Sequence, residues 1–185
     1  GLFVGSATMV YFRDAAGNYQ YVYTTEACPD LTDKPLVILT SPYSASGSEL
    51  FASAARDLGF GIAIGQRTYG KGIAQIVFDE TNTQGLFDGD ALKITAYRFF
   101  SPDGATNHTV GVLPTLMLSV ENTPAAALLL SASEPSRASG FLKLELAGQT
   151  FYLDLEEAQE ETYLAAFTEL LEALPPSALL YQGSG

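Results

Sequence analysis

The sequence predicts an α/β domain in which a βαβ unit and several β-hairpins precede a small α+β module at the C-terminal end. Two short apolar runs, "LVILT" and "GIAIG", flank a segment with helical spacing, and strand–helix–strand within about thirty residues favours a right-handed parallel crossover. Alternating apolar and polar residues on both sides of this unit are typical of antiparallel strands. At 185 residues and 47% hydrophobic composition, the chain is long enough for a sizeable core.

The first two thirds of the chain contain most of the predicted strands. "ATMVYFRD" and "YQYVYTT" alternate around "AAGN" and predict a hairpin. "LVILT" has the continuous β-branched character of a strand that is covered on both faces. Leu50, Ala54 and Leu58 recur at helical spacing before Gly59, and "SPDG" predicts a β-turn. The predicted elements are strands at 7–14, 19–25, 36–40, 61–65, 73–79 and 91–100 and a helix at 47–58.

The character of the chain changes near residue 120, where we expect a boundary between a core at 1–119 and an appendage at 120–185. Residues 125–133 are ambiguous between strand and helix, and "GFLKLELAGQTFYLDL" predicts a hairpin with an Ala-Gly turn. Asp154 and Glu157 resemble a capping box that opens an amphipathic helix, which Pro175 ends. This helix can pack on its own hairpin, which we favour, dimerise, or cover an active-site groove.

Composition excludes several classes of function. The net charge of −12, the pI near 4.2 and only nine basic residues argue against a nucleic-acid partner. No apolar run approaches the roughly 18 residues that a membrane span needs. A single cysteine, Cys28, excludes an internal disulfide and a cysteine-rich metal site, and its pairing with the lone histidine, His108, as a catalytic thiol is disfavoured. One histidine and one cysteine cannot supply four ligands, so a structural zinc site is also disfavoured.

Ser46 lies where the first buried strand passes into the helix, and it has two interpretations. Ser46-Gly47-Ser48-Glu49 matches a capping box, in which the serine is an ordinary helix cap. A helix N-terminus also favours a nucleophile, because its free N–H groups can hold a developing oxyanion. In open α/β sheets, reactive groups also tend to follow the carboxyl ends of strands. The residues around Ser46 alone leave both interpretations open.

Lys71 and Gln75 are the candidates that would accompany a nucleophilic serine. Lys71 sits between Gly70 and Gly72; it is either a solvated charge or, if desolvated, a neutral amine that can accept a proton. Gln75 shares a strand face with Lys71 if the extended conformation starts there, and it could orient the amine. His108 is an alternative base on chemistry, although its turn-like surroundings give no reason to place it nearby.

Three segments together resemble the carboxyl-terminal processing proteases, also called tail-specific serine proteases. These are "SASGSE", "GIAIGQRTYGKGIAQ" and "DALKITAYRFFSPDG", which occur in the family's order over residues 8–114. The resemblance implies a ClpP/crotonase-like α/β core. It also implies Ser46 as nucleophile, Lys71 as general base, Gln75 as the residue that orients the lysine, and the Gly47 amide as an oxyanion donor.

The resemblance also implies a substrate class, a cellular location and family segments that this chain does not contain. It implies hydrolysis of peptide bonds in proteins, with bonds near their C-termini as the expected targets, outside the cytoplasm. The implied reaction needs no metal and no organic cofactor. The resemblance also implies a PDZ domain in the full-length protein, with a homo-oligomer as one option for its assembly. The family's Asn-Pro-Gly-Gly segment is absent from this chain, and Thr115 stands where Asp is usual. We therefore expect a C-terminal part of a protease that is weakly active or inactive alone. The rival hypotheses are a non-catalytic binding or scaffold module and an esterase-like acyl hydrolase.

Overall fold

The structure is a computed structural model that describes residues 2–24, 35–87, 89–135 and 140–182; Cys28 lies outside the described residues. The described part is a mixed α/β fold with three sheets. Its elements are β1 Thr8–Asp14, β2 Tyr19–Tyr23, β3 Leu36–Thr40, α1 Gly47–Leu58, β4 Gly61–Gly65, β5 Ile73–Phe78, β6 Leu92–Phe100, β7 Leu116–Met117, α2 Thr123–Leu129, β8 Phe141–Leu146, β9 Gln149–Asp154, α3 Leu155–Ala158, α4 Glu161–Glu172 and β10 Leu179–Gln182.

A four-stranded antiparallel sheet has the order β2-β1-β6-β5. The predicted hairpin is confirmed as β1 paired with β2. Between β5 and β6 the register shifts, because Ala74 faces Tyr97 and Gln75 faces Thr95. The residue between those two partners, Ala96, is therefore the extra residue of a β-bulge, a feature that is common beside active sites.

A three-stranded parallel sheet has the order β3-β4-β7, and it contains the predicted βαβ unit. Helix α1 spans the predicted residues and ends at Gly59, which adopts the left-handed conformation with φ 69°. Strand β4 is buried along its whole length. The prediction that 36–40 is covered on both faces is wrong: β3 is the edge strand of this sheet, and Leu39 is 50% exposed.

The C-terminal third differs from the sequence prediction in three respects. The ambiguous segment is a helix, α2. Asp154 caps the short helix α3 by accepting from the Glu156 and Glu157 amides, but the expected single helix is broken, and α4 begins only at Glu161. An unpredicted strand, β10, pairs with β8 beside the expected β8–β9 hairpin.

One hydrophobic core extends across residue 120. It joins Ile62 and Ile64 of β4 to Leu129 of α2, Phe151 of β9 and Leu170 of α4, all fully buried or nearly so. Burying each such side chain contributes about 1.5–3 kcal/mol. The last helix packs on α2, and its buried residues belong to the same core as the parallel sheet and the β8–β9 hairpin. Among the described helices, none is long and apolar enough to cross a membrane.

Glu169 of α4 fastens this C-terminal part to the loop before α2. Its carboxylate accepts from the Ser119 amide at 2.6 Å, the Ser119 hydroxyl at 2.7 Å and the Asn122 side-chain amide at 2.5 Å. Burial raises the pKa of the Glu169 carboxyl, but the hydrogen bonds from Asn122 and Ser119 outweigh it, and the pKa lies below its usual value of 4.5. The ionised form is therefore the form that the fold stabilises.

Glu169→Gln should lower the free energy of unfolding at neutral pH by about 1–2 kcal/mol, because the charged acceptor of three donors is lost. The folded-state pKa is depressed, so this contribution is complete above the unfolded-state pKa and disappears as the pH falls through the folded-state pKa. Denaturant titrations from pH 7 down to pH 3 measure the difference. Glu172→Gln, an exposed change in the same helix, is the control; a pH-independent loss in Glu169→Gln would contradict this account.

Candidate active site

Ser46 lies in the turn between β3 and α1 and has an unusual backbone conformation. Its φ of 58° and ψ of −115° fall in a region that residues other than glycine rarely occupy. Such a conformation costs on the order of 1–3 kcal/mol and persists only where the surroundings enforce it. Ser46 is half-buried, while the next residue, Gly47, is exposed and begins the helix.

The group that enforces this turn is the fully buried carboxylate of Glu49, one turn into α1. Its Oε2 accepts from the Ser46 amide at 2.8 Å and from the Lys71 amide, also at 2.8 Å. Its Oε1 accepts from the Gly70 amide at 2.7 Å and from the Thr68 hydroxyl. One side chain therefore joins the start of the helix to the loop that follows β4.

The shared oxygen fixes how close the two candidate residues are. Because the Ser46 and Lys71 amide nitrogens each lie 2.8 Å from the same Oε2 atom, they cannot be farther apart than twice that distance. A backbone bond from the Tyr69 amide to the Ser44 carbonyl, 2.9 Å long, reinforces the contact. The Lys71 side chain is exposed, and within the described residues no hydrogen bond joins its Nζ to Ser46 Oγ.

The loop of Lys71 packs closely against the turn that carries His108. A β-carbon on Gly72 would lie 2.5 Å from the backbone nitrogen of His108, so only glycine fits there. Gly70, at φ 95°, accepts the Thr109 amide at 2.8 Å. The result is a cavity of about 450 Å³, lined by Tyr69, Gly70, Lys71, Ile73, His108 and Thr109.

His108 therefore lies beside Lys71, a contact that no pattern in the sequence predicts. Its Nδ1 is buried and has no hydrogen-bond partner in the part of the chain that the structure describes. The sequence signal for this contact is the second glycine of "GKG", which allows two backbones to meet. A contact of this kind between distant segments is not encoded at His108 itself.

The other two predicted residues have separate surroundings. Gln75 is exposed on β5, next to the bulge, in the strand that begins two residues after Lys71. The Gly47 amide has no acceptor within the described chain, and a β-carbon on Gly47 would meet nothing within 4 Å. The site thus combines the backbones of Ser46, Gly47 and Lys71, with Gln75 on the adjoining strand.

Sequence reasoning missed the main role of Glu49. The capping-box pattern assigned it only the Ser46 amide, which it does bind. A carboxylate has about four acceptor positions, so a buried one needs further donors, and these come from Thr68, Gly70 and Lys71. Among the described residues, no cluster of His, Cys, Asp or Glu could hold a metal ion.

Glu49→Gln should lower the free energy of unfolding by about 2–4 kcal/mol, because the amide nitrogen that replaces one oxygen cannot accept the buried N–H groups. Amide hydrogen exchange at Gly70 and Lys71 should accelerate with it. Glu80→Gln, an exposed change, is the control. Unchanged exchange at Gly70 and Lys71 would show that other contacts hold the loop.

Ser46→Gly should be more stable than Ser46→Ala by about 1–2 kcal/mol, because only glycine adopts the positive φ without strain. Both changes remove the hydroxyl, so the difference isolates the backbone. Thermal and denaturant unfolding of the two variants measure it. Equal stabilities would mean that the turn relaxes once the serine is gone.

Comparisons with known proteins agree on one family. The profile of peptidase family S41 matches residues 1–118. The chain is 32% identical to the C-terminal processing peptidase, chloroplastic, of Tetradesmus obliquus over 66% of this chain and 25% of that protein. It is 36% identical to carboxyl-terminal-processing peptidase 3, chloroplastic, of Arabidopsis thaliana over 60% of this chain and 20% of that protein.

A solved structure, the photosystem II D1 C-terminal processing protease, superposes with a TM-score of 0.56 at 30% identity over 64% of this chain and 29% of that one. A lipoprotein from Streptococcus agalactiae shares the fold, with a TM-score of 0.55 at 19% identity, over 69% of this chain and 46% of that one. The chain spans about a quarter of the length of the curated relatives that it matches. The chain belongs to peptidase family S41.

Proposed function

We propose that the chain carries the Ser/Lys dyad of a tail-specific serine endopeptidase, on a ClpP/crotonase-like core, that hydrolyses peptide bonds in protein substrates near their C-termini. The observation that carries the proposal is the shared Oε2 atom of Glu49, which holds the amides of Ser46 and Lys71 together. Family membership supports the peptidase class. The strained turn at Ser46 supports the choice of nucleophile, since strain of this kind clusters at active sites.

In the proposed reaction, neutral Lys71 removes the hydroxyl proton of Ser46 as Oγ attacks the substrate carbonyl carbon. The resulting tetrahedral oxyanion collapses, the C–N bond breaks, and the Lys71 ammonium returns the proton to the leaving amine. Water then attacks the acyl-enzyme and gives a proton to Lys71. The second tetrahedral intermediate collapses, the bond between the acyl carbon and Ser46 Oγ breaks, and the Lys71 ammonium returns its proton to Oγ as the carboxylic acid product leaves.

The free Gly47 amide would donate to the oxyanion, at the positive end of α1. Gln75 would orient the Lys71 amine from the neighbouring strand. His108 lines the same cavity as Lys71 and is the competing base, since its Nδ1 is unpartnered among the described residues.

We propose weak activity for the chain alone, because Lys71 is exposed and its amine is not hydrogen-bonded to Ser46 within the described structure. A bound substrate or a further part of a longer protein would have to cover the lysine. By analogy with the family, we propose an extracytoplasmic location, a PDZ domain in the full-length protein and a possible homo-oligomer.

Covalent labelling of the chain by a fluorophosphonate probe, followed by intact mass and peptide mapping, should modify Ser46 and no other residue. Ser46→Ala should abolish the label, and Lys71→Met should slow it about 10²- to 10⁴-fold, because the general base is lost.

Lys143→Met is the matched control, since it removes a lysine on β8, in a different sheet, and leaves the strand-to-helix turn at Ser46 intact. Labelling that persists in Ser46→Ala would contradict the nucleophile. If His108→Gln abolishes labelling while Lys71→Met does not, the base is His108 and the dyad assignment is wrong. Comparison of a peptide with a simple ester separates peptidase from esterase chemistry, and a chain that never acylates is the binding or scaffold module.

A further inference from the structure

The exposed face of the four-stranded sheet carries two arginines directly opposite each other. Arg13 of β1 pairs with Arg98 of β6 in the antiparallel register, and both are exposed. The alternate residues, Phe12 and Phe99, pack on the other face, where Phe99 is buried. Like charges directly opposite on one face destabilise an antiparallel pair. Two arginines on one face therefore concentrate positive charge that an anion can balance.

The chain itself does not supply that anion in its described part. The two salt bridges within the described residues join Arg56 to Asp57 and Lys143 to Glu145. Arg13 contacts the ring of Tyr19, its cross-strand neighbour, with the guanidinium carbon 5.6 Å from the ring centroid. This contact turns the Arg13 guanidinium toward β2, on the side of β1 opposite to Arg98, and it adds no negative charge. Arg98 is therefore the arginine of the pair that lies nearer to β5.

The same face gains a third cation along β6. Gln75 pairs with Thr95 and Val77 pairs with Lys93, so Lys93 follows on the face that carries Gln75. From the Ile73–Arg98 pair to the Val77–Lys93 pair is about 13 Å, at about 3.3 Å per residue. We call Arg13, Arg98 and Lys93 the cationic sheet face. On this face, the described strands of the sheet carry no Asp or Glu. The whole chain, by contrast, has 21 acidic residues and nine basic ones.

This face begins at the edge of the candidate active site. Ile73 lines the cavity beside Lys71, and it is also the direct cross-strand partner of Arg98. A peptide whose reacting bond lies at Ser46 and Lys71 can therefore reach Arg98 by passing over a single side chain. Tyr69, which is 69% exposed, lines the same cavity and offers an aromatic surface near its start.

We infer that the cationic sheet face is a substrate subsite that selects one or two Asp or Glu side chains close to the cleaved bond. The inference rests on the proposed function for its link to cleavage. The backbone N–H groups of β1 and β6 are engaged in the sheet, so the donors available here are side chains. That favours an acidic side chain over a terminal carboxylate, which proteins capture with backbone N–H groups. Bidentate arginine–carboxylate pairing supplies the recognition.

The net charge of −12 limits the length of the anion. A polyanion such as nucleic acid or a vesicle surface would meet the repulsion of the whole molecule, whereas two carboxylates meet mainly the local cations. The face thus fits a short acidic stretch of a peptide.

The test uses the 185-residue chain with Ser46→Ala, so that binding is measured without turnover. The probes are fluorescein-labelled nine-residue peptides with amidated C-termini, one with two glutamates and one with glutamines in their place. Fluorescence anisotropy at about 50 mM salt should give a dissociation constant roughly fivefold lower for the glutamate peptide, a preference that fades at 300 mM salt. Arg98→Gln should remove the preference.

Lys143→Gln removes the same charge from β8, in a different sheet, and should leave the preference intact. In the free protein, Arg98→Gln should not lower the thermal midpoint, because Arg98 has no carboxylate partner among the described residues; a merely structural arginine would lower it. Arg98→Glu should reverse the preference toward a lysine peptide.

Equal affinity for the two peptides, or a preference that survives Arg98→Gln, overturns the inference. So does tighter binding of a neutral peptide with a free C-terminus, or of a single-stranded oligonucleotide or anionic vesicles. Failure of the proposed function is recognised separately. If Ser46 never acylates while the glutamate peptide still binds through Arg98, the proteolytic role is wrong and the acidic-peptide site remains.

Discussion

The buried carboxylate of Glu49 is the constraint on which the rest of the site depends. A charge that is fully removed from water is tolerated only when hydrogen bonds replace its hydration, and here they come from two separate segments, the start of α1 and the loop after β4. Thr68 extends the network to a third segment, because its hydroxyl also accepts the Val112 amide at 2.6 Å. The hydrogen bonds that stabilise this one carboxylate therefore also bring the backbones of Ser46 and Lys71 close together.

Strand β4, which precedes the loop that binds Glu49, connects both halves of the described chain. Strand β4 leads into the loop of Lys71, and its Ile62 and Ile64 belong to the core that α2, α4 and the C-terminal hairpin complete. Gln66, at the end of β4, donates to the Leu118 carbonyl at 2.9 Å and to the Thr123 hydroxyl. The C-terminal module thus supports the strand that positions the lysine loop, even though none of its residues lies in the cavity beside Lys71.

The sequence predicted those features whose signals are local. Helix α1 matches because its apolar spacing and Gly59 lie within a few residues of each other, and the parallel pairing of β3 with β4 follows from their connection through that helix. The sequence did not predict the exposure of Leu39, because an apolar strand has the same residue pattern at the edge and in the middle of a sheet. Strand β10 and the placement of His108 depend on partners more than thirty residues away, and no local pattern encodes such contacts.

Two local features of this fold are unfavourable. Ser46 holds a backbone conformation that serine avoids, and Arg13 faces Arg98 across an antiparallel pair. The core residues, by contrast, lie in regular elements whose local sequence agrees with the fold. Natural sequences violate local rules mainly where function requires it and compensate elsewhere. Glu49 holds Ser46 next to Lys71, and Ile73 connects the cavity beside Lys71 to Arg98. Both unfavourable features therefore lie along one path over the surface. A peptide bound along that path would contact the strained serine at one end and would bring negative charge to the paired arginines at the other. This is a physical reason for one surface to keep both the strained serine and the arginine pair.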